Sequence, residues 1–86
     1  MNLKELQEIG EVTLKIEHPI HDNRGDRWIA SLNGEVKPQR DSGILTGAVG
    51  FGDTERQATL ELIKQLRGKI LVTKVGQFKV PKTLVA

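Results

Sequence analysis

The residues best suited to bind a ligand lie in and just after a polar stretch that ends at the chain's one tryptophan. Arg24, Arg27 and Trp28 combine two guanidinium groups with an indole ring. Arginine suits phosphate or carboxylate groups, and an aromatic ring can stack on a base. The alternative role for Trp28 is a core anchor, because the chain otherwise has only two phenylalanines as aromatic residues. The pattern favours the core role for Trp28. Arg24, Arg27 and Trp28 are nevertheless the best candidates in the sequence for ligand contact.

Three glycines precede the main predicted helix and offer a second candidate site. Gly47, Gly50 and Gly52 can bring free backbone amides close to a phosphate at the start of that helix, beside Thr54. Their spacing is not that of a nucleotide-binding P-loop. Strand twist and close strand–helix packing explain the same glycines, and we favour that reading. Gly50, Gly52 and Thr54 stay as candidate ligand residues.

Metal binding and nucleophilic catalysis have little support in the sequence. The metal-like cluster comprises His18, His21, Asp22 and Asp26. Pro19 and the polar composition around it indicate a solvated loop rather than a metal site. Neither Ser31 nor Ser42 has an obvious histidine partner, and the chain has no cysteine. We therefore expect no catalytic residues, no metal and no cofactor.

Composition and charge bound the classes of protein that remain. The chain has 86 residues and a net charge of +2, and we expect one domain over residues 1–86. The longest apolar run, residues 70–72, is far too short for a membrane span, and the absence of cysteine fits a cytoplasmic protein. No acidic residue follows Glu61, whereas six basic residues do. That basic third can bind nucleic acid, or it can simply keep an edge hairpin soluble.

Residues 54–67 have the strongest helical signals in the chain. Thr54 is a favourable N-cap, Gln57 has capping-box spacing, and Gly68 stands where a left-handed residue ends a helix. One face is apolar, with Ala58, Leu62, Ile63 and Leu66. Leu60 lies outside that arc, so we expect it to be exposed.

The remaining elements are a short helix and several strands. We expect the helix at residues 2–9 and strands at residues 11–17, 28–32, 44–51, 69–75 and 78–80. Asn33-Gly34 predicts either a hairpin turn leading to a short strand or a bulge within a longer one. Gly76-Gln77 predicts the turn of a C-terminal hairpin over residues 69–80. The order α-β-β-β-α-β-β predicts an α+β fold with an antiparallel sheet of four or five strands packed on the main helix.

The start of the main helix resembles that of HicB-like antitoxin domains. Gly52-Asp53-Thr54-Glu55, followed by Ala58 and Leu62, matches that family's helix start, and the similarity spans about residues 28–66. The resemblance implies a partial ribonuclease-H-like sheet with one helix against it. It also implies a protein that neutralises a partner rather than one that performs chemistry.

The same region resembles the double-stranded-RNA-binding domain. Gly50, Gly52 and Thr54 fall at that family's glycine and serine positions. Glu55 and Arg56 stand where the family has paired lysines that contact phosphate. The resemblance therefore implies the strand–strand–strand–helix topology and argues against binding of RNA by this helix.

The chain as a whole is similar to short proteins of phages and mobile elements. This likeness lies in the glycine-rich helix start, the Gly68-Lys69 step and the closing Phe78 to Pro81 segment. It implies an inhibitor, antitoxin or sponge that occupies a protein or a small anionic, nucleotide-like ligand. We accordingly expect a non-catalytic binding protein, with a nucleic-acid-binding module as the alternative.

Self-association is expected through the C-terminal hairpin. An edge at residues 69–80, together with the exposed Leu60, would present apolar side chains to a second copy. The candidate interface residues are Leu60, Phe78 and Val80. A dimer would also add buried surface to a small core.

Overall fold

The computed structural model describes residues 1–18, 27–39 and 44–86. Its elements follow the predicted order. They are α1 (Leu3–Gly10), β1 (Leu14–Glu17), β2 (Trp28–Lys37), β3 (Thr46–Gly52), α2 (Glu55–Leu66), β4 (Ile70–Thr73) and β5 (Gly76–Lys79). In the described ranges, no helix is long and apolar enough to cross a membrane.

The five strands form one sheet with the long strand β2 at its centre. β3 pairs with one side of β2. On the other side, β1 pairs with residues 29–32 and β4 pairs with residues 35–37, so these two strands lie end to end. β5 pairs with β4, and every pairing of these strands is antiparallel. The predicted α+β class with a small antiparallel sheet is thus confirmed.

Asn33-Gly34 lies inside β2 and does not form a hairpin turn. Opposite β3, Ser31 pairs with Val49 and Glu35 pairs with Gly47, so two more residues separate the pairs on β2 than on β3. This is a bulge within one long strand, the second of the two predicted alternatives. The first half of β2 pairs with β1 and the second half pairs with β4, and the bulge lies between them.

The C-terminal hairpin turns two residues earlier than predicted. Thr73 pairs with Gly76, so the turn is Lys74-Val75 rather than Gly76-Gln77. The Thr73 hydroxyl accepts a hydrogen bond from the Val75 N–H at 3.2 Å and donates to the Gly76 carbonyl at 3.4 Å. Gly76 has a φ of 151°, which favours glycine, and it is the first residue of the returning strand.

α2 begins and ends where its sequence signals predict. The Thr54 hydroxyl accepts a hydrogen bond from the Gln57 N–H at 3.1 Å, and Gly68 adopts a left-handed φ of 71° just beyond the helix. The Gln57 side chain reaches one residue further back than expected and accepts from the Asp53 N–H at 3.1 Å. The first bond satisfies an amide of the first helical turn that an uncapped helix would leave unpaired, and the second ties the preceding residue to that turn.

Both helices contribute to one hydrophobic core on one face of the sheet. α2 packs on β2 and β3, and α1 lies against β4 and β5. The largest fully buried side chains are Leu6, Leu62, Ile63, Leu66, Leu71, Val80 and Leu84. On the opposite face of the sheet, Ile29 and Val49 are half-buried and Phe51 is exposed. Among the described residues, the buried core therefore lies on the helix side of the sheet.

The C-terminal segment is tied to the start of the chain. Asn2 caps α1 in a capping box with Glu5, the Leu3 N–H donates to the Val85 carbonyl at 2.9 Å, and the Val85 N–H donates to the Met1 carbonyl at 3.1 Å. These bonds hold Leu84 in the core, where it is fully buried. The sequence signals described above predict neither this closure nor the cap of α1.

The structure corrects the predicted interface on the C-terminal hairpin. Val80 is only 1% exposed and belongs to the core, so its side chain does not lie on a free edge. Phe78 is half-buried, on the same face as Leu71, with which it pairs. Leu60 is 39% exposed, as its position outside the apolar arc predicts.

Candidate binding surface

Several predicted site residues meet at one end of the sheet. β1 ends at Glu17, β2 begins at Trp28, β3 ends at Gly52, and Thr54 caps α2. Trp28 pairs directly with Gly52. Because antiparallel neighbours place the end of one strand beside the start of the next, this topology brings separate parts of the sequence together.

Trp28 is shared between the core and the surface. It is half-buried and packs against the hydrophobic core. Its ring stacks on the exposed His18 ring, with centroids 4.5 Å apart and an angle of 12° between the planes. A stacked aromatic pair contributes about 0.5–1.5 kcal/mol beyond area burial. From the sequence, a core anchor and a ligand contact are alternative roles for Trp28. In the structure its indole packs on the core and is still partly accessible.

Two open depressions are lined by chain neighbours of this stacked pair, and Leu60 of α2 lines both. Ile16, Arg56 and Leu60 line the first. Arg27, Phe51 and Leu60 are among the residues that line the second, which runs along the outer side of α2. The five residues Ile16, His18, Arg27, Trp28 and Leu60 are hereafter called the Trp28 surface. They come from β1, β2 and α2 and the segments beside them.

The amides at the start of α2 are partly occupied by the protein itself. The Gln57 N–H donates to Thr54 and the Asp53 N–H donates to the Gln57 side chain. The exposed carboxylates of Asp53 and Glu55 lie at the same end. Carboxylates near a helix N-terminus oppose the binding of a second negative charge, so this helix end is poorly suited to a phosphate.

Gly50 and Gly52 have a steric role in the fold. A Cβ on Gly50 would lie 2.2 Å from the Leu62 nitrogen, and one on Gly52 would lie 2.5 Å from the Ala58 nitrogen. Both glycines therefore let α2 approach β3 closely. This supports the packing reading of these residues, and Thr54 likewise has a structural role as the N-cap.

Arg24, a predicted ligand contact, lies outside the described part of the chain. So do His21, Asp22 and Asp26, which belong to the cluster that the sequence indicates is a loop rather than a metal site. Among the residues the structure does describe, no group of three or more histidine, cysteine or acidic side chains is placed to hold a metal ion. Sequence reasoning did not select Ile16 for the surface, although its alternation with His18 along one strand face was visible in the sequence.

Four lysines gather at the opposite end of β2. Lys37 and Lys79 both pair with Ile70 and therefore share one row of the sheet. The Val80 N–H donates to the Lys69 carbonyl at 2.8 Å, and the Lys82 side chain lies beside Gly68. Lys37, Lys69, Lys79 and Lys82 are hereafter called the lysine surface. Lys37 is distant in sequence from the other three lysines, and the pairing of β2 with β4 places it near them.

The other basic residues of the C-terminal third lie elsewhere or have partners. Lys64 forms an ion pair with Glu61 at 3.1 Å, and the Arg67 Nε donates to the Leu84 carbonyl at 2.8 Å. Lys74 lies in the turn at the far end of the hairpin. The positive charge of this third is therefore divided between separate places.

No protein-family model matches the chain, and no curated protein and no solved structure is detectably similar to it. The resemblances to HicB-like domains and to double-stranded-RNA-binding domains thus rest on the residues quoted above.

Proposed function

We propose that this chain is a non-catalytic binding protein that holds a protein partner at the Trp28 surface. The observation that carries the proposal is the combination of half-buried Trp28 and Arg27 with the exposed side chains of Ile16 and Leu60. Tryptophan and arginine dominate the binding energy of protein interfaces, and apolar neighbours exclude water around them. Trp28 is anchored in the core, so little conformational entropy is lost when a partner covers it.

A protein partner fits this surface better than a small anionic ligand. Both depressions are open to solvent, whereas small-molecule sites enclose most of their ligand. Asp53 and Glu55 stand beside the helix amides that would otherwise attract phosphate. An open, mixed apolar and charged surface suits a folded protein that brings its own complementary side chains.

Because we propose no chemical step for this protein, we infer that it acts by binding its partner. The protein acts by occupying its partner stoichiometrically, as an inhibitor, antitoxin or sponge does, and the resemblance to phage and mobile-element proteins supports that role. We place this action in the cytoplasm, since the cysteine-free composition has no need of an oxidising compartment.

Photo-crosslinking tests the surface directly. The photoreactive amino acid p-benzoylphenylalanine is placed at Leu60 in one variant and at Val75, in the β4–β5 turn, in a matched control. Both positions are exposed and apolar, at 39% and 49%. In a lysate of the source organism, we expect a discrete protein adduct from the Leu60 variant that disappears when Arg27→Glu is added. Equal adducts from both positions, or none from Leu60, would refute the proposal.

The non-catalytic part of the proposal has its own test. Purified protein should carry no stoichiometric metal and should show no turnover with general esterase, phosphatase and nuclease substrates. Turnover that is lost in His18→Ala, with the fold retained, would show that an active site exists.

Nucleic-acid binding is the second candidate function, and the lysine surface favours it. Four lysines from separate segments lie near one end of the sheet, with Lys37 and Lys79 in the same row on either side of β4. Lysines that neutralise phosphates release counterions, so affinity falls steeply as salt increases. This function would leave the Trp28 surface unused.

A salt titration separates the two candidates. Fluorescence anisotropy with a labelled RNA duplex and a labelled single-stranded DNA should show no binding even at low salt if the first proposal holds alone. Binding that weakens by about 10-fold or more between 50 and 200 mM salt, and that is lost in Lys37→Glu with Lys79→Glu, would support the second function. Lys4→Glu, an exposed change on α1, is the control.

A further inference from the structure

β3 is the outermost strand on its side of the sheet. Among the described residues its strand partner is β2 alone, so its outer edge presents backbone N–H and C=O groups without a neighbouring strand. Glu61 and Gln65 of α2 border a groove that runs along this edge beside Thr46, Val49 and Phe51. An edge of this kind is a template for pairing with another strand.

This edge lacks the features that protect sheet edges from pairing. Residues 44–52 contain no charged side chain and no proline. The opposite edge strand, β5, contains Lys79 and is followed by Pro81. Ile44 and Leu45, just before β3, are 67% and 49% exposed. Proteins normally blunt an edge with lysine, proline or a bulge, so an uncharged apolar edge indicates a surface that is covered by a partner.

Gly47 lies opposite the end of the β2 bulge, and no close contact among the described residues requires a glycine there. A Cβ at this position would meet no heavy atom of the described residues within 4 Å, unlike one at Gly50 or Gly52. Its φ is not in the left-handed range that favours glycine. Glycine weakens a strand by about 0.5–1 kcal/mol relative to alanine, and it often marks close approach of another group. No described residue fills the space beside Gly47, so this space is available to a contact from another copy.

We propose that β3 pairs antiparallel with β3 of a second copy of this chain, about a two-fold axis at Val49. In this register Phe51 of each copy lies opposite Gly47 of the other, and Ala48 lies opposite Gly50. An aromatic ring laid across a glycine of the neighbouring strand is a favourable cross-strand pair. The same pair forms twice, so the edge is complementary to itself.

The proposed pairing also covers the exposed residues that precede β3. Continued along the strand, the register brings Leu45 beside Asp53 and Ile44 beside Thr54 of the second copy. The α2 helices of the two copies would lie on the same face of a continuous sheet, with Glu61 and Gln65 next to the seam. This dimer uses the edge opposite to the predicted hairpin interface. Phe51, which also lines the second depression, lies at the seam, whereas the first depression, lined by Ile16, Arg56 and Leu60, stays open.

Cysteine crosslinking tests the register, because the chain has no cysteine of its own. Val49→Cys places two thiols opposite each other at the proposed axis, and a short bis-maleimide should convert most of the protein to covalent dimer. Val75→Cys, exposed at the far hairpin turn, is the control and should stay monomeric. Comparable crosslinking of the two variants would contradict the proposal.

Solution mass tests the interface itself. Sedimentation equilibrium of the wild-type chain should give twice the 9.5 kDa monomer mass at high micromolar concentration. Val49→Lys, which opposes two positive charges at the axis, and Gly47→Arg, which fills the space for Phe51, should each be monomeric with an unchanged circular dichroism spectrum. Val75→Lys should remain dimeric. A wild-type monomer, or a dimer that survives whichever of the two β3 variants folds, would overturn the proposal.

Discussion

Glycines of the same strand should respond oppositely to the same substitution. Gly50→Ala forces a methyl group to within 2.2 Å of the Leu62 backbone nitrogen, so we expect a loss of stability of about 3 kcal/mol or more. Gly47→Ala meets no neighbour in the described part of the chain and should stabilise the monomer by about 0.4–1 kcal/mol. Urea unfolding at low micromolar concentration measures both values. Equal effects of the two changes would contradict the close packing of α2 on β3.

The two threonines Thr54 and Thr59 of the α2 region should differ in how much their hydroxyl groups stabilise the protein. Thr54→Ala removes the acceptor for the Gln57 N–H and should cost about 1 kcal/mol. Thr59→Ala, inside the same helix, removes a hydroxyl that bonds only to the Glu55 carbonyl one turn back, and should be near neutral. Thermal melts of the two variants test the difference. A Thr59 variant that melts lower than the Thr54 variant would mean that the cap is not the stabilising feature.

Residue types alone could not decide what the glycines before α2 do. The sequence offered a phosphate cradle and close packing for Gly47, Gly50 and Gly52, and only the distances to α2 distinguish them. Gly50 and Gly52 face the helix, whereas Gly47 faces open space. The cap of α2 was predictable because it depends on residues at most four positions apart along the chain.

At the scale of elements, the two leucines near the middle of α2 should differ sharply. Leu62 is fully buried and Leu60 is 39% exposed. Leu62→Ala should therefore cost about 2–5 kcal/mol through lost burial and the cavity left behind. Leu60→Ala should cost well under about 1 kcal/mol, as is usual for an exposed position. Chemical unfolding of both variants checks this. Similar losses would mean that the buried face of α2 is assigned wrongly.

Most elements could be predicted from the sequence because their signals are local. Periodicity and caps place α2, and alternation places β1 and the first half of β2. The turn at Lys74-Val75 could not be placed, because the Thr73 hydroxyl stabilises a turn that lacks the usual glycine signal. The choice between turn and bulge at Asn33-Gly34 depends on β4 pairing with the second half of β2, which is a contact distant in sequence.

At the scale of the whole molecule, the sheet separates two surfaces. β2 begins at Trp28 and ends at Lys37, so the Trp28 surface and the lysine surface lie at its opposite ends. The sequence indicates Arg27 and Trp28 as candidates for ligand contact, but it does not show that Ile16 and Leu60 lie near them in the fold. It also could not join Lys37 to Lys79, because strand order decides which distant residues become neighbours.

The central claim is that a protein partner covers the Trp28 surface, and Trp28 itself is the most direct probe. It is the chain's one tryptophan, so incorporation of 5-fluorotryptophan gives a single ¹⁹F NMR signal. The partner identified by crosslinking at Leu60 is titrated into this labelled protein. We predict that the signal shifts or broadens and saturates at a fixed stoichiometry, and that Arg27→Glu weakens the response. A signal that stays unchanged while the partner binds, with the amide signals of Lys37 and Lys79 moving instead, would contradict the account.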